Sequence, residues 1–461
     1  MTAADLPVIS HPEFSGDVGI GRTDITPPTG IYSRSWGCAE HDTAEGIHRP
    51  LLASCVLFAG GEPRLELYLL TLDLGWWYDN AHEREIRDAI LKAAGIRDDQ
   101  LIVHMGHTHS GPITNLQNVD RAGGHLIPAY REHVIAAAAQ AIRDAKANVQ
   151  PATVTWGTGS CRLARNRDLV LDSETFLCGI NPEAESDDTL LVARITDAGD
   201  RIIGTMVNYA CHPVSLGGGN KLISPDYIGG LREIVERETG APCIFLHGAS
   251  GDLTPLRSYE SDAEIADRNG RQIGYAAMSV LTGMLPPQHV LAFDRIEESG
   301  AKLARWSPRP RAASTRLTVT RAETDLPYAD LPSEAEIMAE LAACTERYQR
   351  ERLERRLMMR RDLGEGTGRR ASLTIWQIGD GFLVAAPAEP YSRFQMELRR
   401  RFPRHAVMAL NIANGNIGYL APAETYGKPG LYQIRISLFR PGCLEQVVEE
   451  TAKTLQGLTN G

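Results

Sequence analysis

The stretch TLLVARITDAGDRIIGTMVNYACHP, residues 189–213, decides the fold. Two runs of mainly apolar residues flank Asp197-Ala198-Gly199-Asp200, a turn sequence. The stretch therefore reads as a β-hairpin whose second strand runs out at His212-Pro213. The same pattern recurs upstream. LLASCVLFAG (51–60) and LELYLLTLDLGWW (65–77) are two strands joined by Gly60-Gly61-Glu62-Pro63. Downstream, RASLTIWQIGDGFLVAAPAE (370–389) is a hairpin turned at Gly379-Asp380-Gly381. Between the hairpins lie helical segments. In NAHEREIRDAILKAAGI (80–96), Ile86, Ile90, Leu91 and Ala94 recur at helical spacing before Gly95. Further helices are expected over Tyr130–Ala145, Ile228–Thr239, 266–285, 391–402 and Cys443–Leu455. Strands and helices alternate, but hairpins interrupt the alternation. The expected fold is α/β (mixed α+β), with mixed β-sheets covered by helices rather than a pure parallel doubly wound sheet.

The chain of 461 residues reads as one large domain, with a sub-boundary near 306–332. There WSPRPRAASTR reads as a Pro/Arg-rich linker, followed by one long arginine-rich helix over 333–361. Its arginines alternate with Glu346, Glu351 and Glu354, the pattern of a solvated face. Hydrophobic residues at 43% and charged residues at 23% exclude a disordered, collagen-like or coiled-coil chain. A net charge of −10 argues against nucleic acid or an anionic membrane as main partner. No run approaches the length of a membrane span, so stable membrane insertion is not expected. The eight cysteines show no CxxC spacing and read as reduced. MTAADLPVISHPEF has no basic and apolar leader pattern, and a cytoplasmic location is the expectation. The sequence says nothing about oligomeric state.

The strongest chemical signal is VHMGHTHSGP (103–112), which holds His104, His107 and His109 out of 13 histidines in the chain. It follows an apolar strand and enters a loop. Alternation along an extended segment points His107 and His109 the same way. Two neutral imidazoles on one point suit zinc or another divalent first-row metal. His212, just past the strand GTMVNYAC, is a second contact for the same metal. CIFLHGASGDLTP (243–255) ends a buried strand in a tight turn carrying Asp252 and Thr254. Gly248-Ala249-Ser250-Gly251-Asp252 lacks the register of a serine-hydrolase elbow, but its backbone N–H groups suit an oxyanion. Glu389 sits in LVAAPAEPYSRF at a strand end, where a carboxylate needs a partner or a metal. The loop NIANGNIGYLAPAETYGKPGLYQ carries Tyr419, Tyr426 and Tyr432. Gly217-Gly218-Gly219-Asn220 is not a phosphate loop, because no Lys-Ser/Thr follows it.

Taken in order, these motifs resemble the neutral, non-lysosomal ceramidase family. The likeness runs from Gly19-Ile20-Gly21-Arg22-Thr23-Asp24-Ile25-Thr26-Pro27 through Thr71-Leu72-Asp73, HTHSGP, Asn166-Arg167, NYACHP, SPDYIG, GASGDLTP and APAEP to GYLAPAETYGKPGLYQ. The resemblance implies one catalytic zinc per chain, held by His107, His212, Glu389 and Tyr419. His109 would then face the substrate, and Arg167 and Tyr432 would contact the reacting amide. Asp252 and Thr254 would border the substrate, Thr254 standing where the family carries serine. Arg165 lies in the same ARNRD segment and competes with Arg167 for that role. The implied activity is zinc-dependent hydrolysis of the N-acyl amide bond of ceramide or a related small-molecule or lipid amide, a step of sphingolipid metabolism. The family's C-terminal β-sandwich is not expected here. The competing readings are an amidohydrolase-barrel metallohydrolase acting on a small polar substrate and a non-catalytic metal-binding homologue. A metallo-β-lactamase centre is excluded, because Ser110-Gly111-Pro112 follows His109 where HxHxDH would continue.

Overall fold

The computed structural model describes residues 7–363 and 366–460. The first six residues of MTAADLPVISHPEF, on which the expectation about a leader rests, lie outside the described residues. The elements that place the site are, in chain order, β1 (Glu13–Asp24), β2 (Leu52–Gly60), β3 (Leu65–Leu72), α1 (Asn80–Ala94), β4 (Leu101–Met105), α2 (Ile127–Ala147), β5 (Gln150–Ser160), β6 (Thr189–Asp197), β7 (Ile202–Tyr209), α3 (Tyr227–Thr239), β8 (Cys243–His247) and α4 (Ala263–Gly283). They are followed by β9 (Leu317–Pro327), α5 (Glu334–Ala343), α6 (Arg347–Leu363), β10 (Gly368–Ile378), β11 (Gly381–Ala385), α7 (Arg393–Arg401), β12 (Ala406–Leu410) and α8 (Cys443–Asn460).

An eight-stranded sheet runs in the order β8-β7-β6-β5-β1-β2-β3-β4. Its outermost pairings, β7 with β8 and β3 with β4, are parallel, and the rest are antiparallel. The hairpin at 189–209 forms as the sequence predicts, with Leu190 opposite Tyr209. A second sheet of four strands runs β9-β10-β11-β12, with only β11 and β12 parallel. The fold is a mixed α/β one. A (β/α)8 barrel needs all-parallel strands and does not describe it.

Period-two alternation separates the faces of both sheets. On β2, Ala53, Cys55, Leu57 and Ala59 lie under α1 and α2, while Val56 and Phe58 face the other way. On β7 and β8, Val207, Tyr209, Cys243 and Phe245 pack on α3 and α4. The opposite face of the large sheet meets Trp376, Ile378, Leu383, Met408 and Leu410 of the small sheet. The outer face of the small sheet carries Ile375, Val384 and Val407 against Phe394, Leu398 and Val447 of α7 and α8. The layers are therefore helix, sheet, sheet, helix. Each fully buried large apolar side chain of the central layer contributes about 1.5–3 kcal/mol. Gly19 and Gly21 let α2 lie directly on β1, because a Cβ at either would strike the carbonyl of Ala145 or Ala141.

Two segments depart from the sequence reading. Trp306–Pro310, expected as linker, finishes an exposed strand (Ala301–Pro310) that pairs with His289–Ser299. The prolines fit because the strand is at an edge and needs no ladder N–H there. The 333–361 helix is two helices. Ser333 opens α5 with a capping box, Cys344 leaves the helical region, and α6 starts at Arg347. Ile337, Leu353 and Leu357 close the pair on a small core of its own. The strand β5 went unread, since VTWGTGS breaks its apolar run with glycines.

Candidate metal centre

The site lies where the two sheets meet. His107 follows β4 with a φ of 66°, a left-handed conformation that non-glycine residues rarely adopt. Its Nδ1 is held 2.9 Å from the carbonyl of Gly75, in the loop after β3. His212 follows β7, and its Nδ1 is 2.9 Å from the carbonyl of Ser250. Both backbone contacts place the ring proton on Nδ1 and leave Nε2 as an acceptor. The two Nε2 atoms face each other at 3.0 Å. Glu389 Oε2 lies 3.4 Å from the first and 3.6 Å from the second.

Glu389 comes from the small-sheet side. Residues Glu389–Pro390 pair in parallel with Tyr419–Leu420, which puts Glu389 directly opposite Tyr419. Arg167 reaches the same spot. Its Nη2 donates to the Tyr419 hydroxyl at 3.1 Å, and its Nε and Nη2 donate to the carbonyl of Gly251. Arg165, by contrast, turns to its neighbour's carbonyl at Ala164. His109 is enclosed by Trp36 and Trp76, with ring centroids 5.1 and 5.0 Å away, and its ring lies 5.0 Å from that of His107. Tyr432 stands exposed at the rim, edge-on to Tyr419 at 6.2 Å.

Three of the nominated ligands, His107, His212 and Glu389, thus face one another, with Tyr419 beside Glu389 and Arg167 and with His109 close by. Thr254 is buried in a short strand opposite Arg165, within reach of Tyr259. Asp252 is turned elsewhere: Oδ1 accepts from the Ser392 N–H at 2.6 Å and Oδ2 from its hydroxyl at 2.8 Å. It ties the 248–252 turn to the segment that carries Glu389. The sequence reading did not single out His247, whose Nε2 is 2.7 Å from the Ser250 hydroxyl and whose ring stacks 5.2 Å from that of His107. A lone histidine at the end of a buried strand looks like core, and only its place before Gly248 hinted otherwise. Trp36 and Trp76 were likewise unmarked, although each lies beside a glycine, Gly37 and Gly75.

Further out, Ser224 accepts from the Thr108 hydroxyl at its carbonyl and donates its own N–H to the carbonyl of Ser110. Asp226 accepts from the N–H groups of Ser215 and Leu216. The SPDYIG motif therefore braces the two histidine loops against each other.

Burial sets the protonation of the rings. Desolvation, then the positive charge of Arg167, holds His212 well below the usual imidazole range. Desolvation, then His107, Arg167 and Arg355, does the same for His109. Burial works to raise the Glu389 carboxyl, but His107, Tyr419 and Arg167 together hold it below its usual range. The result is a neutral His212 beside an ionised Glu389, the states metal ligands require. Among the described residues, Glu389 Oε2 and both ring nitrogens of His109 have no hydrogen-bond partner. Two imidazole lone pairs and an unpartnered carboxylate oxygen facing one point fit a cation. The ring nitrogens of His107, His109 and His212 all lie within 4.8 Å of one another.

Burial pushes the Asp252 carboxyl up to about 6, from 3.8. A raised carboxyl favours the fold fully below the unfolded value, and that contribution fades as pH rises through about 6. Asp252→Asn keeps an acceptor for the Ser392 N–H and sheds the charge. Its melting temperature relative to the parent should be higher at about pH 8 than at about pH 4, by thermal melts across pH. A difference that does not change with pH would show that Asp252 carries no burial cost.

Fold and site define the class: a helix-flanked mixed-sheet protein with a histidine-rich candidate metal centre between its sheets. Residues 17–246 match the family model described as neutral/alkaline non-lysosomal ceramidase, N-terminal. The chain belongs to that family. Among solved structures it is similar to one titled "Ceramidase complexed with C2", at 17% identity and a TM-score of 0.66, covering 98% of this chain and 76% of that one. It is also similar to the neutral ceramidase from Pseudomonas aeruginosa, at 18% identity and a TM-score of 0.65, covering 97% of this chain and 75% of that one. Among the described residues no helix is long and apolar enough to cross a membrane.

Proposed function

We propose that this protein is a zinc-dependent amidohydrolase of the ceramidase type, cleaving the N-acyl amide bond of ceramide or a related N-acyl compound. The observation that carries the reading is the facing pair of Nε2 atoms, 3.0 Å apart, with an unpartnered Glu389 oxygen beside them. His107, His212, Glu389 and Tyr419 would hold the metal. When bound, zinc supplies activation of water near neutral pH and polarisation of a carbonyl.

The chain's own residues do the rest. Arg167, fixed by Gly251 and Tyr419, presents N–H donors to an amide oxygen as negative charge develops on it. Tyr432 offers a second donor from the rim. His109 is neutral and has both ring nitrogens available, so it takes a proton from the attacking water and returns it to the departing amine. Thr254 and the Asp252 turn shape the floor on the Arg167 side. Water adds across the C–N bond to give a carboxylic acid and an amine.

The test joins metal analysis to turnover. The purified protein should carry one zinc per chain and release fatty acid from N-acyl amides of graded chain length, ceramide included. A metal-free protein with no turnover after zinc addition would leave the non-catalytic reading. A second ligand set, with His109 as third ligand in place of Tyr419, is favoured by the closeness of the three histidines.

A further inference from the structure

The arginine-rich segment is largely solvated, with Leu353 and Leu357 the buried residues of α6, yet it lies beside the chemistry. The α5–α6 pair, inserted between β9 and β10, lies across the mouth of the candidate metal centre. It is tied there on several sides. Glu351 accepts from buried Arg34 at 2.9 Å, Arg347 pairs with Asp42, and Glu354 pairs with Arg121. Asp362 accepts from the Asn80 amide at the start of α1.

One residue of α6 stands apart. Arg347, Arg356 and Arg361 each have a carboxylate within 4.0 Å. Among the described residues Arg350 and Arg352 have no such ion pair, and nor does Arg355. Its guanidinium instead lies over two aromatic rings of the mouth, 5.4 Å from the centroid of Trp76 and 5.7 Å from that of Tyr78. Trp76 in turn packs against His109 and His107. Stacking engages the face of a guanidinium, and beyond the N–H that the Tyr78 hydroxyl takes, the remaining N–H groups along its edge stay available for an anion, in the planar fork that suits a carboxylate. Among the described residues the carboxylate beside His107 and His212 is Glu389, which faces the metal site rather than Arg355.

We propose that Arg355 is a specificity-determining residue that binds a carboxylate on the substrate, so that the preferred substrates are N-acyl amino acids rather than neutral N-acyl amino alcohols such as ceramide. This rests on the amidohydrolase reading above and narrows its substrate class. The scissile carbonyl lies by Arg167, the acyl chain leads away from the rim, and the carboxylate of the amine half meets Arg355 above Trp76. A charge-assisted pair at a partly exposed site makes a difference of about tenfold in apparent affinity.

The experiment compares N-lauroylglycine with N-lauroylethanolamine, which share an acyl chain and differ in the anion. The zinc-loaded parent should favour the glycine conjugate by about tenfold in kcat/KM, chiefly through KM, and added salt should shrink the ratio. Arg355→Met should bring the ratio to about one by raising KM for the glycine conjugate, and Arg355→Lys should restore part of it. Hydrolysis of the ethanolamide with no preference for the anion, or a ratio unmoved by Arg355→Met, would overturn the anion site while leaving the amidohydrolase reading in place. Hydrolysis of neither compound, nor of ceramide, would overturn both.

Discussion

His107→Ala should purify as a folded protein that holds less than about a tenth of the parent's zinc and turns over N-acyl amides about a thousandfold more slowly or worse. The structure gives the reason. One of two opposed Nε2 atoms disappears, and Glu389 loses the nearer of its two imidazole neighbours, at 3.4 Å. His212→Ala should behave the same way. The double variant should be scarcely worse than either single one, because the two imidazoles act as a unit. Metal per chain by elemental analysis and steady-state rates decide the matter. A His107→Ala protein with a full complement of zinc would remove His107 from the ligand set.

The second large effect concerns His109. His109→Ala should keep its zinc and lose about 10²–10⁴ in kcat, the loss expected when a general acid–base is removed. The ring lies between Trp36 and Trp76 and, among the described residues, makes no hydrogen bond of its own, so its removal leaves the supports of His107 and His212 untouched. If instead the metal is lost along with the rate, the three histidines form the ligand set and Tyr419 is left with Arg167 as its main partner. Measuring metal and kcat on the same preparation separates the two outcomes.

Much of this centre was legible before any fold was known, because its residues sit at the ends of readable strands. His107 and His212 each follow an apolar run and precede a glycine or proline a few positions on. Glu389 lies between Ala388 and Pro390, where a lone carboxylate is costly. What was not legible is how the far end of the chain returns to the first sheet. The backbone of Met105, Asn411, Ile412 and Ala413 cross-links β4, β8 and the loop after β11, and two of the residues there, Ile412 and Asn414, adopt positive φ. No periodicity announces such a seam. His247 and the two tryptophans stayed hidden for a related reason: apolar surroundings make a functional ring look like core. The role of α6 escaped because its composition is that of a solvated helix, and only contact with Trp76 and Tyr78 distinguishes Arg355 from its neighbours.

Strands β9 and β10 pair along an unbroken eleven-residue ladder, Leu317 opposite Ile378 through Pro327 opposite Gly368, although the whole α5–α6 pair loops out between them. The ladder itself thus closes without the excursion, whose ties to the rest of the molecule are side-chain pairs such as Glu351 with Arg34. The excursion's length and charge can drift from one descendant to the next while the reacting atoms stay where they are, so selection is free to exchange the clientele of such a protein without renegotiating its chemistry.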